Sequence, residues 1–200
     1  MHPRFLALAA AVVLTSGCGY NTIQQYDEQA AAAQGNIEVQ LQRRADLIPN
    51  LVETVRGYAK QELDVLTNVT RARAGLVDAI KSGDAEQMAN ANAELTAQLA
   101  IVNRSVVEAY PDLRSSEQFT RLQDELAGTE NRIAVSRNDY NEAVRRYNAY
   151  IRQFPAALTA KVTGAKDRKY FNVTNPTSRE APQVDFGTKS APATPAPANP

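Results

Sequence analysis

The sequence predicts an all-α protein: an elongated antiparallel up-and-down bundle of three long helices plus a short fourth, followed by a disordered Pro-rich C-terminal tail. Three observations carry this. Alanine is abundant and glycine sparse between residues 36 and 154, a composition that favours helix. Apolar residues recur there at steps of three and four. Six of the ten prolines lie between Pro176 and Pro200, where Ala, Pro and Thr cannot build a core.

Ile37, Leu41, Ile48, Val52, Val55, Ala59, Leu63 and Leu66 draw one face of a first helix. It is expected to begin between Thr22 and Ile37 and to run towards Ile80. Pro49 interrupts it, because an interior proline deletes a backbone hydrogen bond. The stripe continues through Pro49, which predicts a kinked but continuous helix; the alternative is two collinear helices with Pro49 in the first turn of the second. Ser82-Gly83-Asp84 ends this helix and starts the next, with Gly83 at the left-handed position and Asp84 as N-cap. Met88, Leu95, Leu99, Val102 and Val106 mark a second helix that Pro111 stops. Ser115 with Gln118 reads as a capping box for the third, whose stripe is Phe119, Leu122, Leu126, Ile133, Tyr140, Val144, Tyr147 and Ile151. Pro155 ends it, and a short fourth helix is expected near Ala156 to Val162. Short connections force antiparallel neighbours, and a helix of about 40 residues makes the body a rod ~60 Å long.

The N-terminus reads as a lipoprotein signal. Leu14-Thr15-Ser16-Gly17-Cys18 follows an apolar stretch, and Cys18 is the only cysteine. The 13 residues from Phe5 to Gly17 reach only ~20 Å as helix, short of the ~30 Å hydrocarbon core, so the segment does not span. Arg4 supplies a positive flank and small residues precede the cut. The mature chain is therefore expected to begin at a lipidated Cys18, its several acyl chains holding it to the membrane, since each buried methylene contributes about 0.8 kcal/mol. The location implied is the cell membrane or, where there are two, the outer membrane, on the extracytoplasmic side. Gly19 rather than an aspartate after the cysteine is the usual outer-membrane sorting pattern of lipoproteins.

Removal of residues 1–17 also removes His2, the only histidine. A mature chain with neither imidazole nor free thiol has no histidine-activated nucleophile, Cys/His zinc site or disulfide. No cofactor is expected. The chain carries 22 basic and 22 acidic residues, and loss of Arg4 leaves a net charge near −1. Such a chain has no overall field to recruit nucleic acid or anionic lipid.

Several blocks then carry a resemblance. Val39-Gln40-Leu41-Gln42-Arg43-Arg44-Ala45-Asp46-Leu47-Ile48-Pro49-Asn50-Leu51-Val52, Tyr110-Pro111-Asp112-Leu113, Leu122-Gln123-Asp124-Glu125-Leu126 into Glu130-Asn131-Arg132-Ile133-Ala134, and Tyr140-Asn141-Glu142-Ala143-Val144 with Tyr147-Asn148 resemble the LemA family in order and spacing. The resemblance extends from about Tyr26 to Pro182-Gln183-Val184-Asp185-Phe186. It implies a membrane-anchored helical bundle outside the cytoplasm and supplies no settled biochemical activity. Many members carry an N-terminal transmembrane helix where this chain has a lipobox. The expected division is a signal peptide (1–17), a lipidated lead-in (18–35), a LemA-like bundle (36–172) and the tail (173–200).

The candidate site is a polar seam between helices one and three. Arg43, Arg44 and Asp46 lie on the first helix, and Thr129, Glu130 and Arg137 interrupt the stripe of the third, Glu130 and Arg137 sitting two turns apart around Ile133. An ion-pair network that fixes register is the plainer reading; a polar pocket in which Arg holds a carboxylate is the functional one. Tyr140, Tyr147 and Tyr150 at helical spacing read as core or rim. Carboxylate pairs such as Asp124 with Glu125 or Asp139 with Glu142 make a weak hydrolase site, since adjacent helix positions do not face each other and a pair three apart on an exposed face is usually a solvated surface. The function expected is thus a non-catalytic envelope scaffold or adaptor with an envelope protein partner, the alternative being a ligand-binding or sensory module at the seam.

Overall fold

In the computed structural model the backbone is described for residues 3–58 and 63–174, and the side chains for residues 19–58 and 64–174. Cys18 and most of the expected tail, residues 175–200, lie outside the described side chains. The elements are α1 (Pro3–Tyr58), α2 (Leu63–Ser82), α3 (Ala85–Ala109), α4 (Pro111–Arg114), α5 (Glu117–Ile151) and α6 (Ala156–Thr163). The described residues contain no strand. The all-α antiparallel bundle is as the periodicity predicts.

The expected first helix differs, for it divides into α1 and α2, and α2 runs back along α1. Two hydrogen bonds establish this: Arg73 Nε donates to the Ala45 carbonyl at 2.8 Å, and Gln34 Nε2 donates to the Gly83 carbonyl at 2.9 Å. In one straight helix Ala45 and Arg73 would stand ~42 Å apart. The bundle therefore has four long helices among the described residues, not three. The break escaped the sequence because Val55, Ala59, Leu63 and Leu66 keep the helical period across it and no proline marks it. The helix also starts earlier than Thr22. Gln24 to Ala33 is built of good helix formers, and Ile23 and Ala30 are buried there.

The two halves of the rod are built differently. In the distal half, α1, α2, α3 and α5 alternate in direction around Leu41, Ile48, Leu51, Val69, Leu76, Met88, Leu95 and Ile133. In the basal half α2 and α3 are absent, and α1 packs on the end of α5 and on α6 through Ile23, Tyr147, Ile151 and Ala160. Every described residue of the three predicted stripes is buried.

Turn chemistry sets the ends of the helices. Gly83 adopts φ 67°, and Asp84 accepts from the amides of Glu86 and Gln87 at 2.9 and 3.1 Å, as its N-cap position requires. Ser116, not Ser115, caps α5 by accepting from the Phe119 amide; Ser115 Oγ instead donates to the Asp112 carbonyl. Pro111 opens the single turn of α4, where its missing N–H is harmless. Pro49 stands inside α1, which continues through it.

Candidate functional site

The seam forms where α1, α3 and α5 meet. Arg44 is only 3 % exposed, on the same face of α1 as Leu41 and Ile48, so its guanidinium is carried into the core. It donates through Nη1 to Asn92 Oδ1 on α3 at 2.6 Å and pairs with Glu130 Oε2 on α5. Burial pushes the guanidinium below its usual range, and the Glu130 charge and hydrogen bond oppose that shift. Thr129, fully buried beside Glu130, donates its hydroxyl to the Leu126 carbonyl. Arg44 Nε has no hydrogen-bond partner among the described residues.

Of the charged residues expected at the seam, the structure brings together Arg44 and Glu130. Arg43, Asp46 and Arg137 are exposed. Asp46 accepts from Gln42 one turn away, at 2.8 Å. Asn92, which completes the cluster, was not singled out; its signal is an amide one turn from Met88 and three residues from Leu95 on an apolar stripe.

The second polar system is a strap, residues 165–174, which leaves α6 and runs without helix along α5 to the start of α3. Two asparagines seven apart clamp it. Asn148 Nδ2 donates to the Arg168 carbonyl and its Oδ1 accepts from the Arg168 amide, both at 2.9 Å. Asn141 repeats the arrangement on Phe171, at 3.3 and 2.8 Å. Each side-chain amide thereby satisfies both the N–H and the C=O of one strap residue, and at Phe171 the chain turns, the Asn172 amide donating to the Tyr170 carbonyl at 3.0 Å. Tyr140 donates its hydroxyl to the Lys169 carbonyl at 2.8 Å, and burial raises the phenol. Phe171, 3 % exposed, fills the main core. Between the clamps, Lys169 pairs with Asp84 at 2.8 Å, and past them Thr174 bonds Asn90 and Glu86. Lower down, Arg168 reaches Asp27 on α1 at 2.7 Å and lies 5.9 Å over the Tyr147 ring. The strap thus ties the base of the rod to the α2–α3 hairpin. Tyr140 and Tyr147 are core, and Tyr150 meets Tyr26 edge to face at 5.3 Å.

The concave surface lies elsewhere. Grooves of about 400 Å³ between α1 and α2 (Arg56, Thr70, Arg71) and about 440 Å³ between α1 and α5 (Asn50, Glu117, Arg121, Glu125) open on the flanks. An interior space beside Val55, Val102 and Tyr110 measures about 10 Å³, room for a water at most. Asp124, Glu125 and Asp139 are exposed, and Glu142 is held below the usual carboxylate range by Arg145 and then Arg146. Among the described residues no three His, Cys, Asp or Glu side chains converge as metal ligands, and no helix is long and apolar enough to cross a membrane.

Comparison with known proteins assigns these features to a family. The Arg44–Asn92–Glu130 cluster and the clamped strap lie within residues 33–186, the region that matches the model of the LemA family. The chain belongs to the LemA family. It is similar to magnetosome proteins MamQ 1 and MamQ 2 of Paramagnetospirillum magneticum, each 31 % identical over 183 residues, covering 80 % of this chain and 67 % of the relative. Magnetosome protein MamQ of Magnetospirillum gryphiswaldense is 28 % identical over 184 residues, covering 81 % of this chain and 68 % of its own length.

Proposed function

We propose that the protein is a non-catalytic envelope lipoprotein, held at the membrane by lipid on Cys18, that offers the sides of its rod to other membrane or periplasmic proteins as a scaffold or adaptor. The observation that carries this reading is where the concavities lie. The charged cluster is consumed in joining α1, α3 and α5, while the grooves are open, lie along helix pairs and suit an elongated protein surface. From Gly19 to Tyr58 the rod extends ~60 Å from the anchor, far enough to meet partners well clear of the headgroups.

The experiment is crosslinking in intact cells of C-terminally tagged protein, comparing wild type with Cys18→Ala. An envelope protein recovered with the wild type and lost from the variant is the expected result. Recovery of no partner overturns the adaptor reading.

The buried, unpartnered Nε of Arg44 favours a second reading, a small anionic ligand admitted to the seam. A thermal-shift screen with amino acids, metabolites and peptidoglycan fragments tests it: a compound that raises the melting temperature of wild type but not of Arg44→Met supports it, and no shift with any compound removes it.

A further inference from the structure

The two most exposed large apolar side chains among the described residues are Val162 at 88 % and Phe154 at 83 %, with Leu158 at 60 % between them. They occur together, on α6 and the turn before it. α6 buries Ala156 and Ala160 against the base of the rod and turns Leu158 and Val162, one helical turn apart, to the opposite side. Lys161 borders this apolar face on the helix, and Lys166 follows just after the helix end; both are exposed. Elsewhere Val39, Ile101, Val107 and Val135 are exposed singly along the long helices, which is ordinary for a soluble surface.

The position of α6 says what covers that face. It is pressed on α1 at Gly19, where a Cβ would come within 3.4 Å of Thr159 Oγ1 and 3.7 Å of Ala156 Cα. Gly19 is the residue after Cys18. Anything that attaches the chain through Cys18, or through the apolar residues before it, sets α6 at the bilayer surface. A helix of eight residues is ~12 Å long and lies on a membrane rather than crossing it. A second copy of the chain is a poorer occupant, because a stable interface covers about 800 Å² per partner, more than three side chains supply.

We infer that α6 is an interfacial membrane foot: Phe154, Leu158 and Val162 enter the boundary between headgroups and acyl chains, and Lys161 and Lys166 face anionic headgroups. This rests on the proposed membrane attachment of the N-terminus and deepens it. The foot adds apolar contact and basic charge to a lipid anchor, the pairing of signals that makes anchoring durable. It also fixes the tilt of the rod, which a lipid on a single residue leaves free.

The test uses the lipid-modified full chain in vesicles of phosphatidylcholine and phosphatidylglycerol with brominated acyl chains. The protein has no tryptophan, so Leu158→Trp and Phe154→Trp each install a lone reporter, and Val135→Trp, ~30 Å higher on the rod and as exposed as Leu158, is the control. We expect blue-shifted emission and severalfold quenching at positions 158 and 154, and neither at 135. Protein that floats with the vesicles but shows all three reporters unquenched overturns the foot and leaves the anchor standing. Emission that is blue-shifted without bromine quenching also overturns it, since protein then covers the face. Protein that fails to float overturns the foot together with the anchoring on which it rests.

Discussion

Arg73 on α2 supplies the hydrogen bond that Pro49 deletes from α1. In a helix the amide of residue 49 would bond the carbonyl of Ala45; proline has no such proton, and the Arg73 Nε takes its place at 2.8 Å. The proline is tolerated inside a long helix because a neighbouring helix satisfies the orphaned acceptor. The same bond pins α2 to α1 in register.

The two residues are therefore energetically coupled. Arg73→Ala is expected to destabilise the bundle by about 2 kcal/mol, the usual worth of a hydrogen bond from a charged donor. In a Pro49→Ala background, where the backbone again supplies a donor to Ala45, the same substitution should have a clearly smaller effect. Urea unfolding of the four variants measures this, and equal costs in the two backgrounds would refute the coupling.

The Arg44–Glu130 pair should respond asymmetrically to substitution. Glu130 has a side chain 44 % exposed and can be hydrated alone, whereas Arg44, 4 % exposed, cannot. Glu130→Ala strands a buried cation and is expected to cost about 3 kcal/mol or more, while Arg44→Met, which fills much of the same volume, should cost less than half of that. Thermal unfolding decides it; equal costs, or a larger one for Arg44→Met, would show that the pair is not arranged as described.

Loss of a clamp should free the strap before it unfolds the bundle. Asn141→Ala and Asn148→Ala each remove two hydrogen bonds, about 2 kcal/mol apiece. Amide hydrogen exchange is expected to accelerate at Phe171 in the first variant and at Arg168 in the second, with the α3 and α5 core unchanged. Uniform acceleration across all helices would mean the strap is not a separate unit.

Acid should release the upper end of the strap. Lys169 first, and then the Gln87 amide, hold the Asp84 carboxyl below the usual carboxylate range, while Asp84 in turn raises Lys169. A depressed folded-state value means that this contribution to stability is complete above the unfolded value of about 4 and is lost as pH falls through the lowered one. Asp84→Asn should therefore flatten the acid limb of the stability curve. An unchanged acid limb would contradict the pairing.

How much of this could be read from the chain depends on what each feature leaves in the local pattern. The stripes, Gly83 and Asp84 are local signals, and they placed α3 and α5 correctly. The reversal between α1 and α2 left none, since the apolar period runs through it unbroken. The site was half legible: Arg44 and Glu130 stood out as charges on apolar faces, but Arg43, Asp46 and Arg137 share the composition of an exposed surface and proved to lie on one. The strap was hidden because its order comes from side chains elsewhere. In retrospect the repeated Tyr-Asn pairs at Tyr140-Asn141 and Tyr147-Asn148 were its signal, two amides at a heptad spacing on a buried face.

Attachment through Cys18 is the claim on which the orientation of the rod, the reach of its grooves and the position of α6 all depend. The direct measurement is the intact mass of the protein extracted from membranes, followed by fragmentation of its N-terminal peptide. The account predicts a chain that begins at Cys18 and carries acyl groups on that residue. A chain that begins at Met1 with an unmodified Cys18 would contradict it.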